Sequence, residues 1–243
     1  MRPILFTFFG RPVYSYPVLL YFAMVLGLDA QLLAARSVGI DLGSVLIVSL
    51  LLLAVALAGA RLLHVALKWR LYAAAPSRIL RLSSGGASMY GGLVLSVAAS
   101  PPLLAGMGIP FATFWDLAAF NLIVGMIVGR MGCFLHGCCA GRVVTWRCGV
   151  HLPNHLGVWR RRIPTQLLES AWSVVVLLGA LKVWRDLPFD GAVFFWVVGG
   201  YAAGRAVLET ARENPDRLRG LRVQRAISIT LVGVAVFAFA VGT

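Results

Sequence analysis

The stretch NLIVGMIVGRMGCFLHGCCAGR, residues 121–142, joins an apolar run to a cluster of chemically active residues. The apolar part contains Gly125 and Gly129, four residues apart, which is the small-xxx-small pattern that lets membrane helices pack closely. Arg130 follows directly, and a histidine and three cysteines come after it. We therefore predict a membrane-spanning helix over 114–138 that carries an arginine into the bilayer.

The composition of the whole chain is typical of a membrane protein. Of its 243 residues, 60% are hydrophobic and only 13% are charged, and the mean hydropathy is +0.86. Soluble domains are about half apolar and about one-quarter charged. A helix needs about 20 mainly apolar residues to cross a bilayer. The sequence offers seven such stretches, at 16–36, 44–67, 89–109, 114–138, 165–184, 190–211 and 224–242.

These stretches predict an all-α integral membrane protein whose seven transmembrane helices form one bundle. We expect a single domain over residues 1–243, because the pattern contains no soluble domain, internal repeat or low-complexity tail. The start, MRPILFTFFGRPVYSYP, has a short apolar run without a small-residue cleavage site, so we expect no removed signal peptide.

The basic residues lie mostly in the segments that flank the predicted spans, and the net charge is +13. Because no soluble module carries them, an anionic lipid surface is a better partner than nucleic acid. This excess either places the N-terminus in the cytoplasm, as the positive-inside rule requires, or provides a face that binds an anionic substrate. One side of the membrane holds only Arg36, Lys182 and Arg185. The other side, called here the basic face, holds Arg2, Arg11, Lys68, Arg70, Arg78, Arg81, Arg142, Arg147, Arg160, Arg161, Arg162, Arg212, Arg217, Arg219, Arg222 and Arg225.

Three further arginines, Arg61, Arg130 and Arg205, fall inside predicted spans. A charge in hydrocarbon costs about 2.5–3.5 kcal/mol on insertion scales, so such residues usually face a bundle interior or a wet cavity and mark a functional site. A single intramembrane arginine is compatible with a structural role, but three indicate function.

One helix face near the end of the sixth span concentrates charge. Glu209 follows Arg205 by four residues, and Tyr201 and Arg212 continue the same face. The charged pair is either a structural ion pair that positions a helix or part of a group of arginines that binds a phosphate. The phosphate interpretation accounts better for the excess of positive charge, because a guanidinium group binds phosphate with two parallel hydrogen bonds.

The cysteines and histidines around the fourth span raise the question of a metal or redox site. The sequence contains no C-x-x-C pair, and none of the zinc-binding spacings fits, so we predict no metal site. A disulfide forms only if this loop faces an oxidising compartment, and buried thiols acting as small apolar residues are the favoured interpretation. The residues concerned are Cys133, Cys138, Cys139 and Cys148, with His136, His151 and His155.

The order of the motifs resembles that of the bacterial prolipoprotein diacylglyceryl transferases, from about residue 14 to residue 225. The matching motifs are YSYP, GGASMYGG, GRMGCFLHGCCAGR, CGVHLP, PTQLLES and YAAGRAVLETARENPD. The resemblance implies a seven-helix protein of the bacterial cytoplasmic (inner) membrane. It also implies transfer of the diacylglyceryl group of phosphatidylglycerol to the lipobox cysteine thiol of a prolipoprotein, without a cofactor. A thioether forms, and glycerol phosphate leaves.

Particular positions of this chain match functional positions of that family. The resemblance implies that Arg130 and Arg205 hold the lipid phosphate. It implies that the active face, with Tyr90, points to the periplasm and the N-terminus lies outside, against the charge rule. The other matching positions, associated with activity or substrate binding, are Tyr16, Arg61, Gly141, Glu169, Tyr201, Glu209 and Arg212.

The chain departs from the family pattern at three positions. Tyr90 stands where the family has a histidine before two glycines, Cys133 where it has asparagine, and Leu168 where it has tyrosine. The glycines after Tyr90, Gly91 and Gly92, allow close backbone approach to a ligand, and we assign them and Cys133 to substrate binding.

The reaction explains why Tyr90 matters most. Displacement at a glycerol carbon needs a thiolate, because a thiol is a poor nucleophile, and it needs the departing phosphate charge to be stabilised. Preorganised arginines in a water-poor cavity meet the second need. A tyrosine hydroxyl has a pKa of about 10. Tyr90 therefore either accepts the thiol proton with the help of nearby arginines or orients the lipid by a hydrogen bond. His64 and His136 are the remaining imidazole candidates.

Three functions therefore remain open at the level of sequence. The first is the diacylglyceryl transfer described above. The second is a paralogue that uses the same lipid-phosphate site with a different acceptor or headgroup chemistry. The third is a non-catalytic phospholipid-binding membrane protein, which the three intramembrane arginines argue against.

Overall fold

A computed structural model describes residues 4–73, 75–79, 88–146, 149–153, 157–212, 217–218 and 221–242. Several residues named above lie outside these ranges, and they are Arg2, Arg81, Arg147, Cys148, His155 and Arg219.

Helices dominate the described part of the chain. Seven of them are long, and the short helix α3 follows α2 directly. The eight α-helices are α1 (Ser15–Ser37), α2 (Leu42–Leu67), α3 (Trp69–Ala73), α4 (Met89–Gly106), α5 (Phe111–His136), α6 (Thr165–Arg185), α7 (Ala192–Leu208) and α8 (Val223–Gly242).

Six of these helices are long and apolar enough to cross a membrane, and α4 adds a shorter apolar helix over Tyr90–Gly106. The predicted spans therefore correspond to the seven long helices, with ends that differ by a few residues. The fourth span ends earlier than predicted, because Gly137 adopts a left-handed φ of 82° directly after α5. The sixth span continues from α7 into a 3₁₀ turn, Glu209–Ala211. The prediction of an all-α membrane protein is confirmed.

The described residues form three antiparallel hairpins, which were not predicted from the sequence and which connect or precede the helices. Their strands are β1 (Ile4–Phe8), β2 (Arg11–Tyr14), β3 (Val150–Pro153), β4 (Trp159–Arg162), β5 (Arg217–Leu218) and β6 (Leu221–Arg222). The hairpin of β3 and β4 pairs Val150 with Arg162 and Pro153 with Trp159. This hairpin is part of the connection between α5 and α6, next to the candidate site.

The chain forms two compact units, and the first comprises Met1–Ala34 and Trp115–Thr243. Its core lies where α5, α6 and α7 meet, and buried side chains from all three helices form it. Tryptophan indoles tie α6 to α7, since Trp172 donates to the Gly200 carbonyl at 2.8 Å and Trp196 donates to the Val176 carbonyl at 3.0 Å. These bonds satisfy indole groups that have no water partner inside a membrane. The core residues are Ala119, Phe120, Ile123, Val176, Ala180, Val193 and Val197.

Glycines let α1 and α5 approach each other closely, but Gly129 is not among them. A side chain at Gly129 would meet nothing within 4 Å among the described residues, so this glycine makes no close packing contact there. A side chain at Gly132 would lie 3.2 Å from Leu19 Cβ, and one at Gly27 would overlap Asn121. The close approach therefore uses Gly27 and Gly132, and the predicted role of Gly129 is corrected.

The second unit comprises Ala35–Phe114, and its main contact is between α2 and α4. Gly59 and Gly91 face each other where these helices cross, and a Cβ on either would lie 2.5 Å from the carbonyl oxygen of the other. Asp41 begins α2 by accepting a hydrogen bond from Ser44 N at 2.7 Å, and hydrogen bonds from Ser44 lower the pKa of this exposed carboxyl. The expectation that all spans form one domain stays a prediction.

Candidate active site

The centre of the candidate site is the carboxylate of Glu169, which is 2% exposed. Glu169 lies in the second turn of α6, which begins at Thr165 after Pro164. Proline is compatible with a helix start because it lacks the N–H that would remain unpaired there. A buried carboxylate is stable only when it is paired, so the partners of Glu169 define the site.

Three arginines from different elements surround Glu169. Arg130 Nε on α5 lies 2.6 Å from Glu169 Oε2, and Arg205 Nη1 on α7 lies 2.6 Å from Glu169 Oε1. Arg212, which follows the 3₁₀ turn, places Nη2 3.3 Å from Oε1. Both oxygens of one carboxylate thus hold guanidinium groups that are far apart in the sequence.

Tyr201 and Glu209 complete this ion network. Arg130 Nη2 donates to the Tyr201 hydroxyl at 3.0 Å, and that hydroxyl donates to Glu169 Oε2 at 3.4 Å. Glu209 is 1% exposed, and its Oε2 lies 3.4 Å from Arg205 Nη2 and 3.6 Å from Arg212 Nε. The helix face predicted from the spacing of these residues is therefore part of the site.

The charges of this network do not cancel. Among the described residues, three guanidinium groups face two carboxylates, which leaves one positive charge in excess. In addition, Glu209 Oε2 and Arg212 Nε are buried and form no hydrogen bond with any described residue, and the 3.6 Å between the two atoms exceeds hydrogen-bond range. A buried N–H without an acceptor costs free energy unless a ligand satisfies it. The arrangement suits a monoanion that accepts hydrogen bonds.

Gly141 fixes the loop after α5 against the end of α7. Its N–H donates to the Ile163 carbonyl at 2.9 Å, and the next residue, Arg142, donates to the Ala211 carbonyl at 2.8 Å. A Cβ at Gly141 would lie 2.8 Å from Ala211 O and 2.9 Å from Ile163 O, so another residue would force the backbones apart. The structure thus places this predicted substrate-binding residue beside Arg212, with which it forms a β-bridge.

Arg162, which the sequence places on the basic face, is buried in the site region. It is 1% exposed. Its Nε donates to the Leu152 carbonyl at 3.2 Å, and its Nη1 lies 3.4 Å from the Gly141 carbonyl. It therefore ties the hairpin of β3 and β4 to the loop that carries Gly141, because a buried guanidinium needs carbonyl acceptors.

The thiols of Cys133, Cys138 and Cys139 converge, and their Sγ atoms all lie within 4.8 Å of one another. The predicted interpretation of buried thiols is wrong for Cys139, which is exposed, while the other two are partly buried. Hydrogen bonds from the Cys133 and Cys138 thiols, with the charges of Arg212 and Arg130, lower the pKa of Cys139. Hydrogen bonds with the Cys133 and Cys139 thiols raise the pKa of Cys138.

Tyr16 lies beside this end of α5. A side chain at Gly132 would be 3.6 Å from Tyr16 Cδ2, and the Tyr16 ring is 6.0 Å from the His136 ring. His136, one of the two candidate imidazoles, is exposed at the last residue of α5. The structure thus brings Tyr16 and Cys133 to the same helix end as Arg130.

The remaining predicted site residues belong to the second unit. Tyr90 is 6% exposed in the first turn of α4. Gly92 packs on α2, since a Cβ there would lie 2.9 Å from Ala56 O, just as Gly91 packs on Gly59. Close packing of α4 on α2 is a sufficient reason for glycine at both positions. Their contact with substrate stays a prediction.

Arg61 and His64 also have identified neighbours within the second unit. Arg61 Nε donates to the Ile79 carbonyl at 2.9 Å, and its guanidinium lies 5.3 Å from the centre of the Tyr72 ring. The His64 ring lies 6.1 Å from the same tyrosine ring, edge to face. Arg61 is thus a buried residue with partners inside its own unit, as an intramembrane charge requires.

The chain matches the model of one protein family over nearly its whole length. The family model described as Prolipoprotein diacylglyceryl transferase matches residues 3–241. Relatives named phosphatidylglycerol–prolipoprotein diacylglyceryl transferase include one from Bacillus cereus (strain G9842), 29% identical, covering 93% of this chain and 86% of the relative. One from Clostridium novyi (strain NT) is 27% identical, with coverages of 96% and 92%. One from Bacillus anthracis is 30% identical, with coverages of 93% and 86%. The chain belongs to the prolipoprotein diacylglyceryl transferase family.

Proposed function

We propose that this chain is an enzyme that transfers the diacylglyceryl group of phosphatidylglycerol to the lipobox cysteine thiol of a prolipoprotein. The thiolate sulfur bonds to the glycerol carbon, the bond from that carbon to the phosphate oxygen breaks, and glycerol phosphate leaves. The thiol proton passes to a base, and a thioether remains. Family membership and the names of the relatives support this reaction.

The proposal rests on one observation. Among the described residues, the ion network around Glu169 has a net charge of one positive unit. The phosphodiester of phosphatidylglycerol carries one negative charge, so it balances the network. Arg212 Nε and the N–H groups of the other two guanidiniums donate the hydrogen bonds that phosphate oxygens accept. In a water-poor site these fixed charges act strongly on the negative charge that develops on the leaving phosphate.

Each member of the network has a distinct proposed role. Arg130 and Arg205 bind the phosphate and stabilise its departure. Glu169 orients both guanidiniums before the lipid arrives, so that little reorganisation is needed during the reaction. Arg212 adds a third donor, and Glu209 positions it together with Arg205.

The other positions that match the family contribute to substrate binding in this proposal. Tyr90 accepts the thiol proton or orients the lipid through its hydroxyl. The residues that contact the lipid or the signal peptide are Tyr16, Arg61, Gly91, Gly92, Cys133, Gly141 and Tyr201. No cofactor takes part in the proposed reaction.

The proposed location is the bacterial cytoplasmic (inner) membrane, with the active face toward the periplasm. The apolar helices and the family support a multi-pass membrane protein. Lipoprotein precursors present their signal peptide from within the membrane, and phosphatidylglycerol is a membrane lipid, so both substrates reach the site without leaving the bilayer. The partners are therefore this lipid and the prolipoprotein signal peptide, and nucleic acid is not among them.

Complementation of a bacterium depleted of its own transferase tests the proposal. We expect the chain to restore growth, and mass spectrometry of a lipoprotein N-terminus to detect the diacylglyceryl thioether. Arg205→Ala should fail, whereas Arg185→Ala, an exposed arginine at the end of α6, should succeed as the matched control. Membrane insertion of both variants is checked by immunoblotting of the membrane fraction. Failure of the wild-type chain at normal membrane levels would contradict the proposal.

A second function is favoured by one observation, which is Tyr90 at the family's histidine position. In that case the chain is a paralogue that binds the same lipid phosphate but serves a different acceptor. The wild-type chain would then leave the lipobox cysteine unmodified, and Tyr90→His would restore its modification.

A further inference from the structure

The thiols of Cys133 and of the consecutive Cys138 and Cys139 meet at one end of α5. Cys133 lies in the last turn of that helix, and Cys138 and Cys139 lie in the loop that follows it. Their Sγ atoms lie within 4.8 Å of one another. Three thiolates around one metal ion, with metal–sulfur bonds of about 2.3 Å, stand about 4 Å apart. The cluster is therefore close to the geometry of a trigonal metal site.

The backbone that carries these thiols has an uncommon conformation. Gly137 and Cys139 both have left-handed φ angles, 82° and 64°. For a residue with a Cβ this conformation costs roughly 1–2 kcal/mol, so surrounding contacts must maintain it. The Cys133 carbonyl accepts hydrogen bonds from Gly137 N at 3.0 Å and Cys138 N at 3.1 Å, which folds the loop back onto the helix end.

Buried side chains at the start of α6 hold the same loop. Thr165 Oγ1 donates to the Cys139 carbonyl at 2.8 Å, and Gln166 Nε2 donates to the Cys138 carbonyl at 2.5 Å. Thr165 and Gln166 are both almost fully buried. Outer groups that orient ligand-bearing segments are a general feature of metal sites. The backbone of Cys138 and Cys139 is thus held in place by α6 as well as by its own loop.

We propose that Cys133, Cys138 and Cys139 form a binding site for one thiophilic cation, with monovalent copper as the ion that the site fits best. Thiolates select soft ions such as Cu(I) and Zn(II). Structural zinc almost always takes four protein ligands, whereas the cluster found among the described residues contains three. Monovalent copper is stable with three thiolates.

The charges around the cluster also suit a copper–thiolate complex. Three thiolates and one Cu(I) carry a net charge of two negative units, so the complex needs positive neighbours. Arg130 precedes Cys133 by three residues on α5, and Arg212 forms a β-bridge with Gly141, two residues after Cys139. Binding replaces the thiol protons by the metal ion and releases those protons to solvent, and no electron is transferred. The proposal does not depend on the transferase reaction.

A copper titration of the purified, reduced full-length chain in detergent tests this site. Cu(I) is added without oxygen in competition with a chromophoric Cu(I) chelator, and thiolate-to-copper charge-transfer absorption is recorded. We expect one equivalent to bind. The double variant Cys138→Ser/Cys139→Ser should weaken the affinity for Cu(I) by more than about 100-fold. Removing residues that bind the metal costs more affinity than removing a residue that only orients them. Gln166→Leu should weaken it by about 10–100-fold.

Matched variants keep the test informative. Cys148→Ser removes a thiol outside the proposed set and should keep full affinity. Circular dichroism and thermal melting of each variant confirm that the helices are retained. Equal copper binding by the wild type and by the double variant would overturn the proposal. So would a disulfide among the three cysteines of protein isolated under non-reducing conditions, because such a bond removes two of the ligands. A negative result for copper with normal transferase activity would leave the proposed function intact.

Discussion

The Nη1 atom of Arg205 lies 2.6 Å from Oε1 of Glu169, so that α7 is joined to α6 by a buried ion pair. The same carboxylate accepts Arg130 through its other oxygen at 2.6 Å. One glutamate therefore sets the positions of the two arginines to which we assign phosphate binding. This arrangement leads to predictions about each of its members.

Replacing either phosphate-binding arginine should abolish transfer while the protein still inserts. Arg130→Ala and Arg205→Ala each remove charge-assisted hydrogen bonds to the phosphate, and we expect activity to fall at least about 10²–10³-fold. Lysine should not restore full activity, because it offers a point charge in place of the planar fork. Initial rates with phosphatidylglycerol and a lipobox peptide provide the measurement. Normal turnover by both alanine variants would remove these arginines from the mechanism.

Glu169 should matter for stability as well as for activity. Glu169→Gln leaves buried guanidinium groups without their shared carboxylate, and breaking a buried ion pair costs about 3–5 kcal/mol. Glu209→Gln is the matched variant, and it should cost less because the contacts of Glu209 are longer, at 3.4 and 3.6 Å. Thermal unfolding in detergent compares the two. Equal unfolding temperatures for both variants would show that Glu169 is not the centre of the network.

Gly141→Ala should separate the loop after α5 from the end of α7. The new methyl group would lie under 3.0 Å from the carbonyl oxygens of Ala211, which ends the 3₁₀ turn, and of Ile163, which directly follows β4. We expect lower thermal stability and a loss of transfer, since Arg212 is displaced with that backbone. Gly129→Ala is the control, because a methyl group there meets nothing within 4 Å among the described residues. If Gly141→Ala behaved like this control, the packing argument would be wrong.

Substitutions of Tyr90 distinguish a diacylglyceryl transferase from a paralogue with a different acceptor. If its hydroxyl accepts the thiol proton, Tyr90→Phe should lose on the order of 10²-fold or more in rate, and much less if the hydroxyl only orients the lipid. Tyr90→His restores the family residue and should keep or raise transfer. Full activity of Tyr90→Phe would exclude the base role. Activity gained only by Tyr90→His would favour the paralogue.

Orientation is testable by labelling from one side of the membrane. Arg161→Cys and Arg185→Cys introduce exposed thiols on the basic face and on the opposite side, in a chain whose native cysteines are serine. An impermeant maleimide added from the periplasm should label the Arg161→Cys chain alone. Labelling of the Arg185→Cys chain alone would show that the positive-inside rule sets the orientation.

Part of this site could be predicted from the sequence for physical reasons. An arginine inside an apolar span, such as Arg130 or Arg205, is costly enough to indicate a function without any structure. The spacing of Arg205 and Glu209 also predicts their shared helix face. The pairing of both arginines with Glu169 depends on how α5, α6 and α7 pack, which periodicity does not specify.

Other features depend on contacts that sequence patterns do not encode. The sequence places Arg162 on the basic face but does not indicate that the fold of β3 and β4 buries it against two carbonyls. The thiols of Cys133 and Cys139 match no metal-binding spacing, and they meet because left-handed backbone at Gly137 and at Cys139 turns the loop back. Gly129 follows a packing pattern, but Gly132 makes the close contact. In each case tertiary contacts override the local pattern.

The most direct test of the proposed function is mass spectrometry of a synthetic lipobox peptide after incubation with purified protein and phosphatidylglycerol. We predict that the cysteine gains one diacylglyceryl group and that an equal amount of glycerol phosphate is released. The Arg185→Ala control should give the same products, and Arg130→Ala should give none. An unmodified peptide in the presence of folded wild-type protein, or equal product from Arg130→Ala, would contradict the account.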